Sequence, residues 1–416
     1  MIRLVGGLVL NEDGTKLVPG DLLVDASGAR PANGSAEGEA LDCSGCWVVP
    51  GFVDMRCHLR EPGEEHKEDI QSGLRAAARG GFTAVCALPG TTPVHDVRAV
   101  TEQMLARASG GPARLWPIGA ITKGLRGKEL AELADMLDAG AVAFSDDRYP
   151  IADRGLLRRA MEYARSFDAL IALHCGDPSL DMGHAVHEGV FSVELGLRAS
   201  PASAETVAVD AACELALVTG ARVHLSHLSA ARSVESLRRA KARGARLSAD
   251  VSPHHLRYTD ANLVGFSPMY KVLPPLRAEA DRRALLEGIN DRTIDAIATD
   301  HAPHAPLDKD CEFSAAEAGV IGLELALPTL MPLIDAGELQ AAAALHALSN
   351  GPSRLLDQRD GFSRGDVTVV DPKADWVVDK LASKSQNSPL YGEAVVGAAR
   401  FTLAYGSLQY RAGDRP

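Results

Sequence analysis

Five side chains that can bind a metal ion are spread along this sequence, each just after a short apolar run. Imidazole nitrogens and carboxylate oxygens are donors that Zn²⁺ and similar ions take in proteins. The five side chains are His58, Asp147, His174, His227 and Asp300. A single histidine is commonly structural, but five donors on one face of a fold favour a metal site. We expect the ion to be zinc.

Eight short apolar runs alternate with stretches of helical periodicity, and these elements can bring the five donors together. Strand-like runs that alternate with helical patterns indicate β-α-β units and a parallel sheet. Eight such units predict an α/β fold, a closed (β/α)8 barrel of the TIM type, whose active site lies at the carboxyl ends of the strands. The runs are residues 47–55, 83–88, 115–120, 141–145, 169–173, 222–225, 246–251 and 294–298.

The two ends of the chain do not follow the barrel pattern. They contain short β-like runs, separated by glycine, asparagine and proline, at residues 2–10, 21–25, 366–370 and 399–405. We expect residues 1–46 and 352–416 to pair into one small composite β-subdomain. The barrel would then take residues 47–351.

Charge and hydropathy argue against several classes of protein. The formal net charge of −12 disfavours nucleic acid or an anionic membrane as a partner, because both need a basic surface. No apolar run reaches the roughly 18–20 residues of a membrane span, and the first residues lack the apolar core of a signal peptide. Seven scattered cysteines favour a reducing compartment. We therefore expect a cytoplasmic protein.

Several motifs resemble those of the type I dihydroorotases, a family within the amidohydrolase superfamily. Residues 49–54 read VPGFVD and lead into HLREPG at 58–63, and residues 297–304 read IATDHAPH. Shorter matches follow in the same order, SPHHL at 252–256, PPLR at 274–277 and GLE at 322–324. The resemblance covers nearly the whole chain, and its two longest motifs are highly specific.

This resemblance implies a metal-dependent cyclic amidohydrolase that reversibly hydrolyses dihydroorotate to N-carbamoyl-aspartate in pyrimidine synthesis. In that family a metal-activated hydroxide attacks the ring amide while the metal polarises its carbonyl. Asp300 would be the catalytic residue that carries the proton to the departing nitrogen. Asp147 would bridge two metals, with His174 and His227 holding one, and His58 and Asp300 helping to hold the other.

The resemblance also implies how the substrate is held and what the protein associates with. Arg60 and His304 would bind the carboxylate of a small anionic cyclic amide, a task for which the planar guanidinium is well shaped. Relatives of this type are usually oligomers, often together with aspartate carbamoyltransferase. We therefore expect a homo-oligomer, with that enzyme as a candidate partner.

One departure from the family pattern falls on the metal site itself. Arg56 stands where the first of two histidines around a single residue is expected. A guanidinium has no lone pair to donate, and at ~4 Å from a divalent cation, with an effective dielectric of ~20, it is repelled by roughly 8 kcal/mol. We therefore expect no complete binuclear centre, and at most one zinc ion per chain, held by Asp147, His174 and His227.

Other departures leave three functions open. Gly90 and Leu273 stand in place of two asparagines that contact substrate, Arg148 replaces a glycine, and Gly176 stands where an acidic residue is expected. The first function is a dihydroorotase with an impaired or mononuclear metal site, which we favour. The second is a non-catalytic pseudo-dihydroorotase that serves as a scaffold for aspartate carbamoyltransferase. The third is a hydrolase of another cyclic amide, such as a hydantoin, a dihydropyrimidine or allantoin.

Overall fold

A computed structural model describes residues 1–34, 36–181 and 186–413, which form two sheets and the helices around them. In chain order the strands are β1 (Ile2–Leu10), β2 (Leu17–Asp25), β3 (Gly28–Pro31), β4 (Glu39–Asp42), β5 (Trp47–Pro50), β6 (Phe52–Cys57), β7 (Phe82–Ala87), β8 (Arg114–Gly119), β9 (Ala143–Ser145), β10 (Leu170–His174), β11 (Arg222–Ser226), β12 (Leu247–Val251), β13 (Ala296–Ile297), β14 (Val367–Val377), β15 (Ala394–Ala404) and β16 (Ser407–Arg411).

Strands β6 to β13 form the barrel, and each pairs in parallel with the next along the chain. A parallel bridge joins Cys57 to His301, and the amide of His58 donates to the carbonyl of His301 at 2.8 Å. These contacts bring the last strand back to the first. The strands are buried on both faces, as the apolar runs of parallel sheets require, and Phe52 of β6 packs against Phe82 of β7 with ring centroids 5.5 Å apart. The predicted (β/α)8 barrel is confirmed.

The helices lie between the strands and after the last of them. They are α1 (Ile70–Arg79), α2 (Arg98–Ala108), α3 (Leu133–Asp138), α4 (Arg154–Arg165), α5 (Val190–Leu195), α6 (Ala202–Thr219), α7 (Ala231–Ala242), α8 (Pro253–Arg257), α9 (Glu279–Asn290), α10 (Pro306–Lys309), α11 (Ala326–Asp335), α12 (Ala341–Leu348) and α13 (Asn350–Leu355), with 3₁₀ turns at Lys123–Leu125, Asp260–Leu263, Pro268–Tyr270 and Phe362–Arg364. No helix in the described ranges is long and apolar enough to cross a membrane.

Helix α1 illustrates how the local sequence sets these elements. The Asp69 side chain accepts a hydrogen bond from the Ser72 amide at 2.7 Å, and the Asp69 amide donates to the Ser72 hydroxyl at 3.0 Å. This reciprocal capping satisfies two backbone donors at the helix start. Ile70, Leu74 and Ala77 then repeat at helical spacing and are buried. Burial of that stripe against β7 stabilises the first β-α unit.

The second sheet is built from both chain ends, as predicted. Its order is β16-β15-β14-β5-β1-β2-β3, and β4 also pairs with β1. The ends meet at β5, which is antiparallel to β14 and parallel to β1. The prediction of one barrel strand over residues 47–55 was wrong, because Gly51 divides it between the two sheets. A Cβ at Gly51 would lie 2.2 Å from Oγ1 of Thr83, so only glycine fits at this crossing.

Candidate active site

The carboxyl ends of the barrel strands surround a cavity of about 530 Å³, a size typical of small-molecule sites. Several of the residues singled out in the sequence line it. They include Arg56, His58, Arg60, Gly90, Asp147 and Asp300.

Four residues at these strand ends have left-handed backbone conformations. The φ angles are 61° at Arg60, 57° at Asp147, 41° at His227 and 51° at Asp300. Positive φ is uncommon for residues other than glycine, and it persists where the surrounding structure imposes it, often at functional sites. The observed strain therefore sets these four positions apart from ordinary strand ends.

Arg56 lies between the two carboxylates of the site. Its side chain is 3% exposed, its Nε donates to Oδ1 of Asp300 at 2.7 Å, and its Nη2 donates to Oδ1 of Asp147 at 3.1 Å. His58 also approaches, with Nε2 3.5 Å from the same oxygen of Asp147. Burial and the nearby arginines Arg60 and Arg56 hold the pKa of His58 well below its ordinary value. The imidazole of His58 is therefore neutral, and Arg56 is the cation that balances the aspartates.

Asp300 combines burial with a cationic neighbour. Burial raises the pKa of its carboxyl to about 6, although the charge and hydrogen bond of Arg56 act in the opposite direction. A carboxyl with a pKa near 6 can both accept and return a proton close to neutral pH, as a general base and acid must. Asp300 thus has the proton affinity that the expected role requires.

His174 and His227 form a close pair beside Arg56. Nδ1 of His174 lies 3.2 Å from Nε2 of His227, and the rings stack with centroids 4.8 Å apart. Two nitrogens that share one tetrahedral zinc ion are about 3.3 Å apart. Burial lowers the pKa of His174 to about 4 and that of His227 well below its ordinary value, and the charge of Arg56 adds to both effects. Neither ring lines the cavity.

The five expected metal ligands do not complete a metal centre in this arrangement. The histidine pair supplies two suitably spaced nitrogens, but Asp147 and Asp300 are bonded to the Arg56 guanidinium. Within residues 1–34, 36–181 and 186–413, no group of three or more histidine, cysteine, aspartate or glutamate side chains could hold a metal ion. The guanidinium thus competes with a metal for both carboxylates.

The two residues expected to bind substrate carboxylate lie together. Nη2 of Arg60 is 3.5 Å from Nε2 of His304, while Nε of Arg60 donates to the Pro303 carbonyl at 3.0 Å and Nη1 to Glu64 at 3.3 Å. His304 is buried, with Nε2 3.0 Å from the Ala318 carbonyl, and burial lowers its pKa to about 3. Arg60 lines the cavity, whereas His304 lies behind it.

Two buried aspartates that support the site were missed in the sequence. Asp250 accepts from the His227 amide at 2.6 Å and contacts Nε2 of His224 at 2.8 Å. Asp54 accepts from the Thr299 amide at 2.9 Å. A carboxylate inside an apolar strand is costly unless it is hydrogen-bonded, and both aspartates lie inside predicted strands. A charged residue within an apolar run was therefore the feature of the sequence that could have identified these two aspartates.

Three of the other departures from the family pattern, Gly90, Arg148 and Leu273, also line this cavity, whereas Gly176 does not. A Cβ at Gly90 would lie 2.5 Å from Oδ2 of Asp147. Asp147 can therefore occupy its position beside Arg56 only because residue 90 has no side chain. His254, a further histidine after a predicted strand, lies in the first turn of α8 and does not line the cavity.

The barrel, its composite end sheet and the polar cavity at the strand ends define an α/β barrel of the kind that carries its site at the carboxyl ends of the strands. An L-hydantoinase (dihydropyrimidinase) from Arthrobacter aurescens superposes with a TM-score of 0.88, covering 100% of this chain and 97% of its own at 21% identity. A D-hydantoinase from a Bacillus sp. AR9 gives a TM-score of 0.84 at 20% identity, covering 99% and 95%. At these identities the likeness establishes the fold alone.

Sequence similarity is more specific. A family model described as "Dihydro-orotase-like" matches residues 45–233. A dihydroorotase of Syntrophotalea carbinolica is 45% identical over 387 residues, which is 91% of each chain. A dihydroorotase of Pelotomaculum thermopropionicum is 44% identical over 411 residues, which is 96% of each. The chain belongs to the dihydroorotase family.

Proposed function

We propose that this protein is a dihydroorotase, a cyclic amidohydrolase that interconverts dihydroorotate and N-carbamoyl-aspartate in pyrimidine synthesis. The observation that carries the proposal is the 45% identity to a dihydroorotase over 91% of the chain. The cavity supports it, because Arg60, Asp147 and Asp300 all line the same space.

The residues of this chain have distinct parts in the proposed reaction. Arg60 binds the substrate carboxylate through its guanidinium, which Glu64 and the Pro303 carbonyl orient. Asp300 takes a proton from the attacking water and returns it to the ring nitrogen as the carbon–nitrogen bond breaks. His304 supports Arg60 from behind. These roles use only groups that line or adjoin the cavity.

We also propose that each chain binds one zinc ion. The family resemblance implies metal dependence, and the spacing of the His174 and His227 nitrogens suits one ion. Asp147 would be the third ligand only after leaving the guanidinium of Arg56. The proposal therefore predicts weak metal retention, with an occupancy that falls on dialysis against a chelator.

Further proposals concern the organisation and setting of the protein. We propose that residues 1–46 and 352–416 form one subdomain and residues 47–351 the catalytic barrel. We also propose a cytoplasmic location, a homo-oligomeric state and association with aspartate carbamoyltransferase. The family membership supports these proposals.

An assay of dihydroorotate hydrolysis on the purified full chain, combined with metal analysis of the same sample, tests the function. We expect turnover that Asp300→Asn reduces at least about 100-fold, because the proton carrier is lost. Asp335→Asn, on the exposed end of α11, is the matched control and should leave turnover unchanged. Absence of dihydroorotate turnover, with zinc supplied, would refute the proposal.

A further inference from the structure

A segment near the carboxyl end of the chain reaches the loops around the cavity, although the expected reaction does not use it. Residues 383–387 lie between β14 and β15. The hydroxyl of Ser383 donates to the carboxylate of Glu68, and the hydroxyl of Ser385 donates to the carbonyl of Lys67 at 2.8 Å. Both acceptors lie between β6 and α1. This connection between two strands of the end sheet therefore contacts the face of the barrel that carries the cavity.

Asn387 is the residue of this segment that bonds the loop after β13. Its side chain is buried, and Oδ1 accepts from the amide of His304 at 3.0 Å. Its Nδ2 donates to the carbonyl of Ala302 at 2.9 Å and to that of Gly319 at 3.1 Å. Its own carbonyl accepts from the amide of Ile321 at 3.1 Å. A primary amide has two donor hydrogens and an acceptor oxygen, and Asn387 uses all of them on the backbone beside the cavity.

These bonds fix the peptide group that orients Arg60. The carbonyl of Pro303 and the amide of His304 belong to one peptide unit, which is planar. Asn387 holds that unit by its N–H, and Nε of Arg60 donates to its carbonyl at 3.0 Å. Nη2 of Arg60 also lies 3.5 Å from Nε2 of His304. The direction of the guanidinium therefore depends on where Asn387 places residues 303 and 304.

The same segment supports Arg60 from its other side. Nη1 of Arg60 donates to Glu64 at 3.3 Å, and Glu64 accepts from Nζ of Lys67 at 2.7 Å. The carbonyl of Lys67 is the group to which Ser385 donates. An arginine side chain is long and flexible, and bidentate binding of a carboxylate requires one orientation of its guanidinium plane. The contacts on both sides supply that orientation.

We propose that Asn387 is a positioning residue: it holds Arg60, through the peptide group of residues 303 and 304, in the orientation that binds the substrate carboxylate. This inference rests on the proposed function, in which Arg60 binds that carboxylate. An interaction that holds the substrate and the transition state equally well changes KM and leaves kcat nearly unaltered. Asn387 therefore acts on KM, whereas Asp300 acts on kcat.

Asn387→Asp tests the proposal, with Gln386→Glu as its matched control. Both variants replace a side-chain amide by a carboxylate, but Gln386 is exposed whereas Asn387 is buried. In Asn387→Asp the new oxygen faces the carbonyls of Ala302 and Gly319, which have lost their donor. In hydrolysis of dihydroorotate by the full chain, KM should rise at least about tenfold, the effect of one or two lost hydrogen bonds, and kcat should change by less than about threefold. Gln386→Glu should change either constant by less than about twofold.

Asn387→Ala is a second variant, which removes the side-chain bonds without adding a charge. Circular dichroism checks that both variants fold, and hydrogen exchange followed by mass spectrometry checks the contact itself. The amide of His304 should exchange at least about tenfold faster in Asn387→Ala than in the wild type or in Gln386→Glu, because it has lost its acceptor. KM should rise in this variant as it does in Asn387→Asp.

A fall in kcat with KM unaltered would overturn the proposal, as would equal KM values for Asn387→Asp and Gln386→Glu, or unchanged exchange at His304. Turnover whose KM is insensitive to both Asn387 variants refutes the positioning role and leaves the proposed function standing. Calorimetric titration with dihydroorotate covers the converse case. Binding without turnover, weakened about tenfold by Asn387→Asp, supports the positioning role and refutes the dihydroorotase activity. A wild type that neither binds nor hydrolyses dihydroorotate refutes both.

Discussion

Arg56 is a buried cation held by two buried aspartates, and its chemistry sets the properties of the site. Its hydrogen bonds to Asp300 and Asp147 join the ends of strands β13 and β9 across the barrel. Removing one member of such a buried group leaves the others uncompensated, which costs more than the group itself contributes. Variants at residue 56 therefore report on charge, metal binding and stability together.

The first prediction concerns Arg56→His, which replaces the cation by a neutral ligand. We expect bound zinc to rise from at most one toward two ions per chain, and dihydroorotate turnover to increase. The gain should be incomplete, because Gly90 and Leu273 still lack hydrogen bonds worth about 0.5–1.5 kcal/mol each. Inductively coupled plasma mass spectrometry measures the zinc content, and the hydrolysis assay measures the turnover.

Arg56→Lys is the control for that prediction, because it keeps the positive charge and should not raise the metal content. Metal gained without turnover would favour a scaffold over an enzyme. High wild-type activity that Arg56→His abolishes would show that the arginine takes part in the reaction, for example by stabilising a developing oxyanion.

The second prediction links Gly90 to Arg56. Gly90→Asn should destabilise the protein by about 1–3 kcal/mol, the range for an overfilled site, because its Cβ would lie 2.5 Å from Oδ2 of Asp147. In the Arg56→His background Asp147 is released and can move, so the cost should fall. Urea denaturation of the four proteins of this cycle measures the coupling, and strictly additive effects would contradict the link.

At the scale of elements, buried carboxylates connect the ends of neighbouring barrel strands. Asp146, after β9, accepts from the amides of Ile121 and Thr122 at 2.9 and 2.8 Å, and Asp250, at the end of β12, accepts from the His227 amide after β11. Each aspartate satisfies backbone donors that the barrel would otherwise bury unpaired. These cross-connections keep the loops that carry the cavity in register.

Glu324 makes a similar connection between the barrel and the segment before β15. Its carboxylate accepts from the amides of Ala382 and Ser383 at 2.9 and 3.1 Å, and Arg79 lies 3.3 Å away. Burial nevertheless raises its pKa from 4.5 to about 7, against the effect of the amides and Arg79. The folded protein thus holds a proton on Glu324 more tightly than the unfolded chain does.

The third prediction is a pH dependence of stability that Glu324→Gln removes. For a carboxyl whose pKa is raised on folding, the stabilisation is present below pH 4.5 and is lost as pH rises through 7. Between pH 5 and 8 the free energy of unfolding of the wild type should fall by roughly 2–3 kcal/mol relative to the variant. Denaturant titrations at several pH values measure it, and parallel profiles for the two proteins would contradict it.

At the scale of the whole molecule, the two sheets form one structure because β5 and β6 are adjacent in the chain. Asp366, fully buried next to β14, accepts from Arg114 of β8, from Nε of Arg364 at 2.8 Å and from the Tyr405 amide at 3.1 Å. This network ties the end sheet to the barrel.

The fourth prediction concerns assembly. We expect the protein to elute as an oligomer, and to form a larger complex when mixed with the cognate aspartate carbamoyltransferase at micromolar concentration. The expectation rests on membership of the dihydroorotase family. Size-exclusion chromatography with light scattering measures both masses, and an unrelated protein of similar size serves as the control. An unchanged elution position on mixing would contradict the association.

The sequence by itself determined the barrel and several residues that line the cavity, among them Arg60, Asp147 and Asp300. Strand β1 lies at residues 2–10 as predicted, and the eight barrel strands fall within or close to the predicted runs. Burial imposes an apolar pattern on every strand, and this pattern is local in the sequence. The strands can therefore be predicted without knowledge of the tertiary structure. The same holds for polar residues just beyond those runs, because a barrel brings all strand ends to one face.

Only the tertiary structure decided what Arg56 does. The sequence left open whether its guanidinium occupies the metal position or turns away, and the answer depends on aspartates 91 and 244 residues further along the chain. The division of residues 47–55 at Gly51, and the role of Gly90 in making room for Asp147, likewise depend on atoms from distant strands. Hydrogen bonds and close contacts between remote residues arise from the packed geometry, which no local pattern encodes.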